Sequence, residues 1–264
     1  MTYGYDSSVI FAKSKMGVSD FALDLLTRLR LARMKPEEQI RPFIFICHSL
    51  GGVVFKEMLI QATLNSEQHG PMAQHVKGAI FLGTPHRGSR SASYAQLASR
   101  ILNIATLGRG VRAELLRTLE ISSSELEIIS RHAVQLLGRF PIVSFYERKP
   151  LGPSLVRSIA VPLPLSPASW SPAARSKTDI RQVVESFSAI LGLPNERSMP
   201  INADHRKMAR VSPRKENRYL PVWSAVKELA EGVPALPSLA SLAFSLTLCS
   251  PYGISTKLRH RTGV

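Results

Sequence analysis

The chain has 264 residues, 44% of them hydrophobic, with 16 glycines and 18 prolines, enough to bury one sizeable core in a single medium domain. Its formal charge of +15 suggests attraction to anionic surfaces, whether phospholipid headgroups or nucleic acid. The lysines and arginines are scattered, however, with no aromatic-interleaved RNA motif and no zinc-ligand spacing. A solvated basic surface is therefore the favoured reading, and no specific nucleic-acid partner is expected.

Met1 to Tyr5 reads as a strand rather than a secretory signal. Ser19 and Asp20 can cap a helix with Phe21, Leu25, Leu26 and Leu29 at helical spacing, and Pro36 marks its end. The run Phe43-Ile44-Phe45-Ile46 then drives into Cys47-His48-Ser49-Leu50-Gly51-Gly52. A buried strand ending in a sharp turn, followed by a helix over Val53 to Leu64, is how a nucleophile elbow is built. The motif is G-x-S-x-G with Cys47 in place of the first glycine, and cysteine is small enough for a tight turn. The plainer reading of Ser49 is a helix N-cap in an ordinary strand-to-helix turn.

A break at Gly70-Pro71 precedes a second buried run, Gly78 to Leu82, ending at Gly83-Thr84-Pro85. Ser93 to Ala105 and Val111 to Leu137 read as helical, the latter interrupted near Ser122-Ser123-Ser124. Phe140 to Tyr146 is a third core strand, closed by Glu147, and Tyr219 to Glu231 a last helix. This β-α-β alternation predicts an α/β fold with a mostly parallel sheet covered by helices. Ser154 to Lys177 is rich in Ser, Pro and Ala and lacks periodicity. It reads as a loop that can act as a lid, or as translated intron. Residues 233–264 read as an irregular basic tail, open to the same two explanations. Within that tail, Leu239 to Cys249 is too short to span a bilayer, and can lie on a membrane or pack as a helix. Cys47 and Cys249 read as reduced thiols of an intracellular protein.

The pieces CHSLGG (47 to 52), FLGTPHRGS (81 to 89), SFYE (144 to 147), SAILGLPNE (188 to 196) and NADHRKM (202 to 208) together resemble the lipase-like serine esterases of the α/β-hydrolase superfamily. The similarity is to the serine-active-site-containing proteins and to hydrolase domains that fungi fuse to NACHT or ankyrin modules. It implies a partial α/β-hydrolase domain over 1–232, acting without a cofactor on acyl or lipid esters, with an anionic membrane surface as a further partner. It also implies an intracellular address at mitochondria or endoplasmic reticulum. A catalytically dead interaction module, the remnant of a larger signalling protein, is the alternative.

Ser49 is the expected nucleophile and needs a base to take its proton. The superfamily order of nucleophile, acid and histidine selects His205 among seven histidines; a loop histidine bonded to backbone is the plainer reading. His48 is expected to point elsewhere. His86 belongs to the TPHRG loop, where the resemblance implies loop architecture. His69, His75 and His132 are expected to be solvated, and His260 sits in the basic tail. Glu147 falls where the fold presents the acid that orients histidine, with Asp179 and Glu185 as rivals and Asp204 adjacent but poorly placed. Leu50 N–H is one expected oxyanion donor. The resemblance places a second on a strand ending in His-Gly, which has no counterpart in this sequence, so weak hydrolysis and an unpaired sheet edge are expected.

Overall fold

A computed structural model describes residues 1–4, 17–87, 97, 101, 113–150, 182–210, 219–232 and 245–250. Six strands form one parallel sheet: β1 (Thr2–Gly4), β2 (Phe43–His48), β3 (Val76–Leu82), β4 (Ile142–Glu147), β5 (Glu196–Ile201) and β6 (Ser245–Ser250), in the order β1-β6-β2-β3-β4-β5. The described helices are α1 (Val18–Leu31), α2 (Pro36–Gln39), α3 (Gly51–Leu64), α4 (Ser66–Gln74), α5 (Ala113–Leu137), α6 (Ser186–Ala189) and α7 (Tyr219–Glu231).

All six residues of β2 are buried, because helices cover both faces of the sheet and a period-2 strand must then be apolar on both sides. Phe43, Phe45 and Cys47 enter one core with the apolar stripe of α1 (Phe21, Leu25, Leu29), with Val53, Val54 and Met58 of α3, and with Leu126, Ile129, Ala133 and Leu137 of α5. Ile44 and Ile46 enter the opposite core with Val143, Phe145 and the α7 residues Val222, Ala225 and Leu229. The mostly parallel α/β architecture read from the sequence is thus present. At the start of α1, the Asp20 carboxylate accepts from the Gly17 N–H at 2.7 Å.

Several local expectations are corrected. Helix α4 runs through Gly70-Pro71, because a proline removes one ladder donor while the neighbouring bonds persist. Helix α5 is continuous through Ser122 to Ser124; the weak helix preference of serine, a few tenths of a kcal/mol per residue, is outweighed by the stripe buried downstream. Strand β5 went unread because most of its residues are exposed or half-exposed, and it carries Pro200, which an edge strand tolerates.

The expectation that 233–264 is irregular throughout fails at β6. This strand pairs parallel with β1 (Tyr3 beside Cys249) and with β2 (Phe45 beside Thr247, Cys47 beside Cys249). It fills the space between β1 and the elbow strand, and β1 stands at one edge of the described sheet. Ser93 to Ala105, apart from the buried Leu97 and Ile101, lies outside the described residues, as does the insert at 154–177. Among the described residues no helix is long and apolar enough to cross a membrane.

Candidate active site

Strand β2 ends at His48, and Ser49 turns the chain with φ +56°. Non-glycine residues rarely occupy that left-handed region, and holding one there costs about 1–3 kcal/mol. The turn is fastened on both sides: Ser49 N–H donates to Leu82 O at 3.0 Å, while Ser49 O accepts from Gly52 N–H at 3.1 Å. Leu50 O then accepts from Val53 and Val54 at 2.9 and 3.1 Å, opening α3 directly beneath the serine. Gly52 is required by close approach, since a Cβ there would collide with the Thr84 side chain beyond the end of β3.

His205 reaches the elbow from the loop after β5. Its Nε2 lies 2.9 Å from Ser49 Oγ, within the range of a nucleophile–base hydrogen bond. On the other side of the ring, Nδ1 is 3.5 Å from Glu147 Oε1, and Glu147 is the last residue of β4 rather than one just past it. The same oxygen accepts the Val184 N–H at 2.6 Å, which fixes the carboxyl group. Ser49, Glu147 and His205 all have 0% exposure. Three residues separated by 98 and 58 positions in the sequence therefore converge at the carboxyl ends of β2, β4 and β5.

The rival acids separate on geometry. Asp204 Oδ1 accepts the Lys207 N–H at 3.0 Å and Oδ2 pairs with Lys207 Nζ at 3.1 Å, so Asp204 closes the turn that carries His205. Glu185 caps α6, its carbonyl accepting from Ser188 and Ala189 at 2.9 and 3.0 Å. Asp179 lies outside the described residues.

Two further residues shape the site. His48 does not simply point elsewhere: its Nε2–H donates to His205 O at 2.8 Å, and the two rings stand 5.0 Å apart. Burial, reinforced by the neighbouring His205, pushes the His48 imidazole down to about 3, so a neutral ring tethers the histidine loop to the elbow strand. Gly83, with φ +57°, ends β3 where a Cβ would stand 3.0 Å from His205 Nδ1 and 2.8 Å from Met208 Sδ. Absence of a side chain there leaves room for the imidazole. The sequence signals were present in both cases, as the residue before the serine and the glycine of FLGTP, but their partners lie about 120 to 160 positions away.

His86 stacks edge-on against Phe81 at 4.7 Å, and its backbone N–H donates to Ser188 O at 2.8 Å. Arg87 bonds Phe187 O and Ile190 O at 2.8 and 2.9 Å, so the TPHR loop clamps onto α6. Burial holds the His86 imidazole well below its usual value. His69, expected to be solvated, is only 8% exposed within α4. Cys47 is buried and is not part of a disulfide. Among the described residues no cluster of His, Cys, Asp or Glu is arranged to hold a metal ion.

No family model matches the sequence. Over 72 residues, 27% of this chain, it is 39% identical to mouse Protein SERAC1 and 38% identical to the human protein of that name. The match spans about a tenth of the length of those relatives. Among solved structures it is similar to the Bacillus licheniformis lipase BlEst2 in mature form, with a TM-score of 0.50 at 17% identity, covering 85% of this chain and 89% of that one. The likeness is one of fold, a mostly parallel α/β sheet with covering helices.

Proposed function

We propose that this chain is a carboxylic ester hydrolase of acyl or lipid esters, with Ser49 as nucleophile, His205 as general base and acid, and Glu147 as the acid that orients the imidazole. The 2.9 Å approach of His205 Nε2 to Ser49 Oγ carries this reading. With Nδ1 protonated and facing Glu147, Nε2 is left as the acceptor for the serine proton. Ser49 Oγ then attacks the ester carbonyl as its proton passes to Nε2, and the resulting imidazolium faces the carboxyl group. Collapse of the tetrahedral intermediate breaks the C–O bond to the alcohol, which leaves with the proton from Nε2. Water, deprotonated by the same nitrogen, cleaves the acyl-serine and returns the enzyme.

The Leu50 N–H is the proposed oxyanion donor. It stands at the entry to α3, where the helix terminus presents positive charge to a developing oxyanion. The left-handed Ser49 backbone just before this amide supports the assignment. A serine acting only as an N-cap would direct its oxygen to the amides of the next turn, whereas the N-cap of α3 is Leu50 and Ser49 Oγ meets His205 Nε2 at 2.9 Å.

The test is covalent labelling by a fluorophosphonate together with turnover of p-nitrophenyl acyl esters. Labelling and turnover by the wild-type chain, both lost in Ser49→Ala, are expected. Equal labelling of the two proteins would overturn the assignment.

A further inference from the structure

At the end of the sheet opposite Ser49, a cavity of about 400 Å³ opens between the amino ends of β3 and β4, a size in the range of small-ligand sites. Its apolar wall is built by Leu59, Ala73, Val76, Leu136, Phe140 and Leu229. Two cations, Lys77 and Arg139, also border it, and both side chains are exposed. The bordering acid Glu228 is engaged by Arg197 at 2.5 Å, leaving the mouth with uncompensated positive charge among the described residues.

A third cation, Arg33, lies outside the cavity lining, at the amino end of the neighbouring strand β2. Phe43 pairs in register with Val76, and its N–H donates to His75 O at 2.8 Å. Over the Phe43 ring, at 3.5 Å from its centroid, lies the Arg33 guanidinium. Arg33 is only 4% exposed; its Nη1 makes one long bond to Gln39 O at 3.5 Å, and its buried Nη2 has no hydrogen-bond partner. A buried guanidinium nitrogen without an acceptor is costly. Burial, and then the nearby Arg41, lower Arg33 to about 10, while Glu38 acts weakly in the opposite sense. His75 is lowered by burial and by the charges of Arg33 and Lys77, so one positive field spans the amino ends of β2 and β3.

We infer that this cavity binds a single-chain anionic amphiphile, its acyl chain against the apolar wall and its carboxylate or phosphate head against Lys77 and Arg139. The site is separate from the proposed catalytic centre. The six-residue strand β2, at roughly 3.3 Å per residue, sets the two about 20 Å apart.

Calorimetric titration with dodecyl phosphate, below its aggregation concentration, tests the inference on the full chain. That ligand carries no carboxylic ester, so its binding and the hydrolase reading can fail independently. Saturable binding is expected, weakened at least tenfold in Lys77→Glu/Arg139→Glu, whose exposed positions leave folding intact, and in the cavity-filling Ala73→Phe. Inorganic phosphate and dodecanol are each expected to bind at least tenfold more weakly than dodecyl phosphate. Equal affinity for inorganic phosphate, unchanged binding by either variant, or binding to phosphatidylglycerol vesicles with none to the monomeric amphiphile would overturn it.

Discussion

Lys56 offers a measurement in which the buried electrostatics of this fold set both sign and size. It lies on α3 at 0% exposure, and its ammonium donates to Ser130 Oγ on α5 at 3.1 Å. Burial lowers it from 10.5 to about 7, with Cys47 of β2 and Glu196 of β5 opposing weakly; the buried His86 beyond β3 feels its charge. The folded chain thus holds this proton less tightly than the unfolded chain does. Between about pH 7 and 10.5 the unfolded state binds more protons, so the lysine makes stability rise with pH through that window. Below pH 7 both states carry the charge and the penalty is constant. At ~1.4 kcal/mol per tenfold, that penalty is about 5 kcal/mol.

Lys56→Met removes it at the loss of one hydrogen bond, about 1 kcal/mol, with similar side-chain volume in a packed core. The variant should therefore be more stable than wild type by about 4 kcal/mol at pH 6, and about 1 kcal/mol less stable near pH 10.5. Urea unfolding of both proteins at half-unit pH intervals from 6 to 10.5 reads the difference. A Lys56→Met chain that is less stable than wild type at pH 6, or a difference that does not change with pH, would refute the reasoning.

At the proposed active site, Glu147→Gln should keep the fold while lowering esterase kcat by about 10⁴, since an amide stabilises the wrong tautomer and no imidazolium; a loss below tenfold would transfer the acid role elsewhere. Gly83→Ala combines a left-handed backbone with contact on His205, and should cost about 1–2 kcal/mol in thermal unfolding together with a fall in Ser49 labelling by fluorophosphonate. Ending the chain at residue 244 removes β6, leaving β1 without its described sheet neighbour and one side of β2 unpaired. That protein should melt earlier and scatter light at concentrations where the full chain stays clear, whereas an unchanged melting temperature would remove β6 from the sheet's energetics.

What the residues alone disclosed was whatever depends on neighbours within a few positions. Phe43 to Ile46 had to be a doubly buried strand, Ser49 between small residues had to sit in a turn, and the stripe of Phe21, Leu25 and Leu29 had to face a core. From those the parallel α/β arrangement and Ser49 as a candidate nucleophile followed, while His205 and Glu147 were named by the order of nucleophile, acid and histidine that the resemblance implies. Distance in the chain hid the rest. Asp204 looked as near to His205 as an acid can be, yet folding turned it onto Lys207 and brought Glu147, 58 positions earlier, to the imidazole. The same holds for His48 bonding His205 O, for Gly83 clearing space for the ring, and for a plain SLTLCS segment becoming a central strand. A strand's backbone donors and acceptors are satisfied by whichever strands lie beside it, and no local pattern in β6 names β1 and β2 as those partners; only the assembled sheet does.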